Sequence, residues 1–510
     1  MPLSIIDTGP PPACPRPFNL ARHVLAQGEA VPDKIALQIV SPRGAERWSY
    51  GRLIAAVRGC GAGLLARGFA PGDRVLLRIG HEVAFPIAFL GCVAAGLMPV
   101  PTSTQLTQTE VDRLAALLRP ALVIAGDGVL RPTDPAVPVV TTGEIAAMEK
   151  LAPCNWDMGD PDRLAYMVFT SGTSGTPRAV MHAHRAVWAR QMMRDGWTGL
   201  IEIDRLMHAG AFNWTYTLGT GLMDPWAAGA TALIPAAGVT PDQLPLLMKR
   251  FDATIFAAAP GVIRQMLRAL VPALPRLRHG LSAGESLPCA LRSEWRAATG
   301  TDLHEALGMS ECSTFLSSSP ARPAPDGSIG YPQPGRRVAV VDGNGTPVPA
   351  GESGVLAVAA SDPGLFLGYF EAEAETKMKF AGDWFLTGDV VSMAEDGAVR
   401  YLGRSDDMMN AGGYRVSPVE VEAAMASFPG LHEAAAAEVA VRPAVTVIAC
   451  FYTADTGLDE AALSAHAASH LARYKQPRLF LRVEALPKNA NNKVLRRVLR
   501  QEWESRHGSA

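Results

Sequence analysis

The sequence runs Thr170-Ser171-Gly172-Thr173-Ser174-Gly175-Thr176-Pro177-Arg178 directly after the apolar run 164–169. We predict that the apolar run is a buried strand and that the residues after it form a loop. Glycines let the backbone bend and bring its N–H groups close to a ligand, while hydroxyls and a cation add further donors. The combination is typical of a loop that holds polyphosphate, although it lacks the order of a Walker A loop. A polar surface turn is the plainer alternative.

Composition narrows the class of protein. The 510 residues exceed one ordinary core and predict two or three domains. Hydrophobic residues make up 48% and charged residues 19%, which is typical of a globular protein. A net charge of −2 argues against a nucleic-acid partner. Seven scattered cysteines without a Cys-x-x-Cys pair indicate free thiols in a reducing compartment, and no signal-peptide pattern is present, so we expect a cytoplasmic protein.

Periodicity predicts an α/β fold. Between residues 18 and 334 strand-like and helix-like patterns alternate, which predicts parallel sheets covered by helices. The uncharged segment 83–101 is broken by proline and glycine, so a buried helix followed by a strand is expected instead of a membrane span. We predict a large N-terminal domain over 1–405, with a small β-rich subdomain at about 335–405. A small mobile α+β C-terminal domain is predicted over 406–510.

The loop resembles the phosphate loop of the adenylate-forming superfamily, which includes acyl-CoA and aryl-CoA synthetases, stand-alone adenylation domains and luciferases. That family usually ends the loop with Pro-Lys-Gly, whereas this chain has Pro177-Arg178-Ala179. Arginine keeps the positive charge and adds a fork of donors suited to phosphate. The resemblance implies that ATP is bound by Thr170, Ser171, Gly172, Thr173, Ser174, Gly175 and Arg178.

Further stretches are similar to the family in the same order along the chain. Ser282-Ala283-Gly284-Glu285-Ser286 matches the adenine-binding stretch, which implies that Gly284, Glu285 and Ser286 contact the nucleotide. In the run 304–311, Gly308, Met309, Ser310 and Glu311 match the stretch that reaches the phosphates, although Leu307 replaces an aromatic residue. Glu311 would be an oxygen ligand of Mg²⁺. An acid in the first turn of a helix is the alternative interpretation of Glu311.

The later part of the chain resembles the family's ribose site and its mobile domain. Asp389 matches the ribose-binding acid, and Arg404 matches a residue on the ribose or phosphate side. Asp406 stands at the hinge position, and Gly412, Gly413 and Tyr414 match the loop that lines the coenzyme A tunnel. Lys493 aligns with the catalytic lysine, and Ser310 and Glu311 would act with it. Asn410, Asn489 and Asn492 depart from the pattern, and a basic helix start is the alternative for the lysine segment.

The acid pocket is expected from the run 208–219. Amino-acid-activating relatives carry an aspartate after the first aromatic residue, whereas this chain has Asn213, which cannot neutralise an ammonium group. The expected lining residues offer flat or polarizable surfaces and small neighbours. They are Phe212, Trp214, Tyr216, Ala283, Gly308 and Met309. The pattern leans towards the benzoate-CoA ligase branch, although each aromatic residue could instead belong to the core.

Two histidine pairs, His182/His184 and His466/His470, lack further ligands at metal spacing, so no zinc site is predicted. The resemblance implies an ATP-dependent acid–CoA ligase whose partners are a carboxylic acid, ATP, Mg²⁺ and coenzyme A. The alternatives are an adenylation enzyme that loads a carrier-protein thiol, a short- or medium-chain acyl-CoA synthetase, and a nucleotide-binding protein without catalysis. The oligomeric state is left open, with a homodimer as one option.

Overall fold

The computed structural model describes residues 2–170, 178–212, 214–405, 407–411, 414–442, 445–488 and 494–507. Several residues singled out in the sequence lie outside these ranges: Ser171, Gly172, Thr173, Ser174, Gly175, Asn213, Asp406, Gly412, Gly413, Asn489, Asn492 and Lys493. Among the described residues, no helix is both long and apolar enough to cross a lipid bilayer.

The chain forms two compact units, and each is assembled from separate segments. The larger unit contains Ile6–Arg337 and Ala359–Asp383. The smaller unit contains Met1–Ile5, Val338–Val358 and Trp384–Ala510. Much of the β-rich section predicted at 335–405 therefore belongs to the same unit as the C-terminal segment. The predicted domain boundary between residues 405 and 406 stays a prediction.

The larger unit is built on a nine-stranded sheet whose central strands are parallel. Their order across the sheet is Tyr331–Pro332, Ser313–Ser317, Asp302–Met309, His279–Ala283, Ile255–Ala258, Arg205–His208, Thr231–Pro235, Ile35–Ser41 and Gly44–Ser49. The strands at both edges pair antiparallel. Ile255–Ala258 is buried at every position, as expected for a parallel strand covered on both faces. The predicted α/β class is confirmed.

Alternate residues of these strands feed two apolar clusters. Met207 and Phe256 pack with the helices Leu244–Arg250, Pro260–Met266 and Cys289–Thr299. Leu206 and Ile255 face the other way and pack with Trp197 and Tyr216. Because side chains alternate across a strand, this division shows that the sheet buries both of its faces.

A second, four-stranded parallel sheet lies in the same unit. Its strands, in order, are Met98–Pro101, Arg74–Arg78, Leu122–Ala125 and Val139–Thr141. One face packs against the helices Tyr50–Ala66 and Ala84–Ala94. Every residue of Ala84–Ala94 is buried, which confirms the predicted core helix followed by a strand. The opposite face packs on residues of the strands that precede and follow the predicted phosphate loop.

The strand Leu164–Thr170 pairs antiparallel with Arg178–Ala183, and Gly368–Tyr369 adds a third strand. The expectation of parallel sheets is therefore wrong for this part of the chain. The seven residues between Thr170 and Arg178 are too few for the crossover that a parallel pair requires. As a result, Thr170 and Arg178 lie opposite each other at the end of a hairpin.

The smaller unit contains more strands than helices. Arg337–Val341, Ser353–Ala359, Trp384–Met393 and Val399–Arg404 pair in that order, and Met409–Ala411 pairs with Tyr414–Val416. A third sheet consists of Glu433–Arg442, Val445–Thr453 and Leu479–Arg482. The helices are Pro418–Met425, Glu460–His470 and Arg496–His507. The helix Glu460–His470 ends where Leu471 adopts an extended backbone.

The remaining elements are short or peripheral. They are the helices Leu20–Ala30, Gln108–Leu118, Thr142–Met148, Arg185–Ala189, Gln191–Met193, Asp224–Ala227 and Glu373–Lys377, the 3-10 turns Pro241–Gln243 and Arg473–Lys475, the π-helical segments Arg194–Thr198 and Thr217–Met223, and the strands Ile5–Asp7 and Phe380–Ala381. All seven cysteines are free in this structure.

A buried ion pair holds the segment 359–383 in the larger unit. The Arg336 guanidinium bonds the Asp362 carboxylate, and the two side chains are 0% and 1% exposed. Arg336 also donates to the Thr314 carbonyl at 3.0 Å, and Asp362 accepts the Gly364 N–H at 2.7 Å. The pair therefore connects the strand Ser313–Ser317 with the loop that leads to Gly368–Tyr369.

We expect Asp362→Asn to lower the free energy of unfolding by about 3–5 kcal/mol, because it leaves the Arg336 charge buried without its counter-ion. Asp302→Asn is the matched control, since its Arg296 partner is 73% exposed. Chemical denaturation followed by circular dichroism measures both. Equal small losses in the two variants would contradict the structural role assigned to the Arg336–Asp362 pair.

Candidate active site

One face of the strand Arg178–Ala183 carries Arg178, Val180 and His182, which are alternate residues of the strand. His182 lies opposite Tyr166 on the neighbouring strand, and the two rings stack with their centroids 4.9 Å apart. His182 Nε2 lies 2.8 Å from the Ser310 carbonyl oxygen. Burial lowers the pKa of His182 to about 4, so its ring is neutral and Nε2 donates this bond. The hairpin is thereby joined to the turn that carries Glu311.

Arg178, the predicted phosphate-binding cation, contacts a carboxylate. Its guanidinium forms a two-bond pair with Glu375 of the helix Glu373–Lys377, with Nη2 2.6 Å from Oε1. The Arg178 side chain is about a quarter exposed and that of Glu375 two-fifths exposed. The end of the predicted loop is thus fixed to the segment 359–383. A phosphate role for Arg178 stays a prediction.

Glu311 lies in a turn between two antiparallel strands, so the helix-start interpretation is wrong. Its Oε1 accepts a hydrogen bond from the Tyr369 hydroxyl at 2.6 Å, and its carbonyl accepts the Phe366 N–H at 2.7 Å. The residue is 8% exposed. The sequence pattern identified Glu311, whereas Tyr369 was missed because its partner is 58 residues away.

The predicted adenine and acid residues meet at the carboxyl ends of neighbouring parallel strands. Ala283 ends the strand His279–Ala283, and Met309 ends Asp302–Met309. Gly284, Ser286 and Gly308 are exposed there. Ligands of open α/β sheets bind at this edge. The fold therefore brings these predicted residues to one accessible border of the sheet.

Glu305 holds the turn after Gly284 in position. Its Oε1 accepts the Leu287 N–H at 2.9 Å, and its Oε2 pairs with Arg292 at 2.6 Å. Burial raises the pKa of Glu305, and Arg292 opposes that rise. This role was not predicted, since no local pattern around Glu305 indicates its partners Leu287 and Arg292.

An aromatic wall stands beside Gly284. The half-buried Trp214 ring lies against its Cα, since a Cβ there would be 2.9 Å from Trp214 Cζ2. Gly284 also has a backbone φ of +96°, which residues other than glycine rarely adopt. Tyr216 packs edge-to-face on Trp214 at 5.1 Å, and burial raises its pKa. Trp214, predicted for the acid pocket, thus adjoins Gly284, predicted for the nucleotide, and Tyr216 packs on Trp214.

Phe212 is more deeply placed than its neighbours. It is 1% exposed and stacks on His81 at 4.5 Å and on Phe85 at 5.8 Å. These contacts make it part of the core beside the helix Ala84–Ala94. Its assignment to the acid pocket stays a prediction, and its observed contacts are with the protein interior.

In the smaller unit, antiparallel pairing brings the predicted ribose residues together. Asp389 and Arg404 are register partners, and Arg404 Nη1 lies 3.3 Å from Asp389 Oδ1 and donates to the Thr387 carbonyl at 2.9 Å. The Tyr401 hydroxyl is 3.4 Å from the same carboxylate oxygen. Asp389 is therefore a buried acceptor flanked by a cation and a phenol.

Arg496 anchors the segment that follows Lys493. Its guanidinium pairs with the Glu422 carboxylate at 2.8 Å and reaches Asp407 Oδ2 at 3.3 Å. Burial raises the pKa of Glu422, which Arg496 opposes. Asp407 follows the predicted hinge residue directly. These contacts were not predicted, because the partners of Arg496 are 74 and 89 residues away.

The chemistry of Glu311 suits Mg²⁺ only when phosphate supplies other ligands. Among the described residues, no group of three or more His, Cys, Asp or Glu side chains could hold a metal. Mg²⁺ commonly takes one or two carboxylates together with substrate phosphates and water. His182 and His184 serve as internal hydrogen-bonding groups, with His184 Nδ1 accepting the Leu20 N–H at 3.0 Å.

Comparisons with known proteins show the family to which the chain is similar. A family model described as AMP-binding enzyme matches residues 24–370, and one described as AMP-binding enzyme C-terminal domain matches 420–493. The chain is similar to a benzoate–CoA ligase of Thauera aromatica, with 30% identity over 92% of this chain and 95% of that protein. A human mitochondrial acyl-coenzyme A synthetase is 28% identical over 96% and 92% of the two chains. The crystal structure of an anthranilate CoA ligase in complex with anthranoyl-AMP has a TM-score of 0.87 at 27% identity, covering 96% and 98%.

We expect Gly284→Ala to destabilise the protein more than Gly300→Ala. Both glycines have positive φ, which costs other residues about 1–2 kcal/mol of backbone strain. A Cβ added at Gly284 would also meet the Trp214 ring, whereas a Cβ added at Gly300 would have no atom within 4 Å. Unfolding free energies measure the difference. The additional loss of unfolding free energy in Gly284→Ala should disappear when Trp214 is also changed to Ala. Equal losses of unfolding free energy in Gly284→Ala and Gly300→Ala would contradict the close packing of Trp214 on Gly284.

Proposed function

The chain belongs to the AMP-binding enzyme family of acid–thiol ligases, and from that premise we propose that it joins a compact aromatic carboxylic acid to coenzyme A. The acid carboxylate attacks the α-phosphorus of ATP and pyrophosphate leaves. The coenzyme A thiol then attacks the acyl carbon of the adenylate, and AMP leaves as the thioester forms.

The contact between Trp214 and Gly284 is the observation that carries this proposal. This contact would give the acid and the nucleotide adjoining surfaces at one sheet edge, as attack of the acid carboxylate on the α-phosphorus requires. The half-buried Trp214 would present a flat face to a ring, Tyr216 packs edge-to-face on Trp214, and Met309 is a polarizable neighbour. Similarity to a benzoate–CoA ligase agrees with an aromatic acid, while similarity to an acyl-coenzyme A synthetase makes aliphatic acids the outcome to test against.

Residues proposed to contact a nucleotide occur in each unit. In the larger unit the hairpin end, Gly284 and the turn at Ser310 and Glu311 would receive the base and phosphates. When bound, Mg²⁺ would neutralise charge on the phosphates beside Glu311. In the smaller unit the Asp389 carboxylate would accept from the ribose hydroxyls, and Arg404 orients that carboxylate.

Lys493, Asp406 and the loop of Gly412, Gly413 and Tyr414 keep their roles as proposals from the family resemblance. Lys493 would stabilise charge during adenylate formation, and the glycine loop would line the path of the thiol. A hinge at Asp406 would let one domain serve both half-reactions in turn. The seven free cysteines favour a reducing, cytoplasmic setting.

A panel of acids tests the substrate class. With ATP and coenzyme A, benzoate-like acids should give higher kcat/KM for pyrophosphate release than α-amino acids and aliphatic acids of any length. Trp214→Ala should raise the KM for the aromatic acid, whereas Trp188→Ala, a half-buried tryptophan bonded to the Pro12 carbonyl, should not. A highest kcat/KM for a long-chain or aminoacyl substrate would overturn the proposal, and thioester formation on a carrier protein alone would favour the adenylation alternative.

We further expect Glu311→Gln to lower pyrophosphate release by about tenfold or more and to raise the Mg²⁺ concentration needed for half-maximal rate, because the amide loses the ligand charge. Tyr369→Phe keeps that carboxylate and should lower the rate less. Glu294→Gln, on the exposed side of Cys289–Thr299, is the control. An unchanged Mg²⁺ titration in Glu311→Gln would remove Glu311 from the metal-binding role.

A further inference from the structure

A buried histidine, His208, lies beside the aromatic wall, and no other described residue hydrogen-bonds its ring. His208 ends the strand Arg205–His208, is 0% exposed, and neither ring nitrogen is paired among the residues that the structure describes. Burial lowers the pKa of His208 to about 3, so the ring is neutral and carries one N–H donor and one acceptor nitrogen. Buried polar groups in native proteins are normally satisfied by protein, water or ligand.

A second polar group of the same kind lies next to it. The Thr217 hydroxyl is buried and also without a partner among the described residues. Both groups approach Gly210: a Cβ there would overlap Thr217 Oγ1 and would stand 2.9 Å from His208 Cε1 and 3.1 Å from His208 Nδ1. The absence of a side chain at Gly210 therefore lets a hydroxyl and an imidazole converge on one place.

This place adjoins the wall assigned to the acid. The His208 ring is 4.4 Å from that of Tyr216, edge-to-face, and 6.4 Å from that of Trp214. Thr217 begins the π-helical segment Thr217–Met223, directly after Tyr216. Such wide turns occur frequently at functional sites. His208 and Leu206 alternate with Met207, so His208 extends from the sheet face on which Leu206 packs with Tyr216.

We propose that His208 and Thr217 are specificity-determining residues that hydrogen-bond a hydroxyl group on the ring of the acid, which makes a hydroxyl-bearing aromatic carboxylate the preferred substrate. The inference rests on the proposed function and names the substrate class of the same site. A hydroxyl group donates one bond and accepts others, so it can satisfy an imidazole nitrogen and the threonine hydroxyl together. Sites built to bond a substrate hydroxyl discriminate strongly against the analogue that lacks it.

The test compares benzoate with 2-, 3- and 4-hydroxybenzoate by kcat/KM for thioester formation. In the wild type, one hydroxybenzoate should exceed benzoate by about tenfold or more. Thr217→Val keeps the shape and removes the hydroxyl, so it should lower that ratio about tenfold. His208→Phe should lower the ratio as well, and the aminobenzoate substituted at the same position should fall between the two acids, because an amino group mainly donates.

Thr198→Val is the matched control. Thr198 is 1% exposed and its Oγ1 is also unpaired among the described residues, but its carbonyl contacts His279 at the opposite end of the strand His279–Ala283. This variant should leave the ratio unchanged. A shift as large as that of Thr217→Val would attribute the effect to general loosening and would overturn the inference.

Two other outcomes overturn it separately from the proposed function. The inference is refuted if the wild type has a kcat/KM for benzoate that equals or exceeds those for all three hydroxybenzoates. It is also refuted if a folded Thr217→Val variant keeps the wild-type ratio of kcat/KM for hydroxybenzoate to that for benzoate. The second result is expected if buried water alone satisfies both groups. In both cases aromatic acids are still activated and the proposed function stands. If no aromatic acid reacts, the proposed function fails first and the inference with it.

Discussion

The buried pair of Arg336 and Asp362 is the constraint on which the candidate site depends. It fixes the loop before Gly368–Tyr369, a short strand that completes the hairpin sheet and places the Tyr369 hydroxyl 2.6 Å from Glu311. The same segment carries Glu375, which holds Arg178. An ion pair with no solvent exposure is costly to break, so the geometry around Glu311 is preorganised rather than adjustable.

Much of this arrangement could be predicted from local sequence. Apolar runs such as Ile255–Ala258 indicated buried parallel strands, and short motifs marked Gly284, Glu311 and Asp389, because backbone conformation and ligand chemistry restrict the residues allowed at such positions. The antiparallel pairing of Leu164–Thr170 was not predicted, because the alternation of strands and helices along the chain indicated parallel sheets, although the short connection to Arg178 permits only an antiparallel pair.

Partners distant in the chain could not be predicted. Tyr369, Glu375 and Asp362 each bond a residue 26 to 197 positions away, and no periodicity encodes such a distance. The neighbours of a buried aromatic residue are equally hard to infer from sequence: Phe212 and Tyr216 are both buried and near in sequence, yet Phe212 stacks on Phe85 and Tyr216 packs edge-to-face on Trp214. Only the packing of the whole fold distinguishes them.

The discontinuous make-up of the units has a consequence for how the protein is synthesised. A ribosome that has released residues 6–337 has not yet released Tyr369 or Glu375, so the hairpin emerges without its third strand and Arg178 without its counter-charge. The segment 338–358 emerges next but belongs to the unit finished last. Because domains tend to fold as units during synthesis, we expect the larger unit to become stable only after residue 383 has emerged, with its apolar surfaces available to chaperones until then.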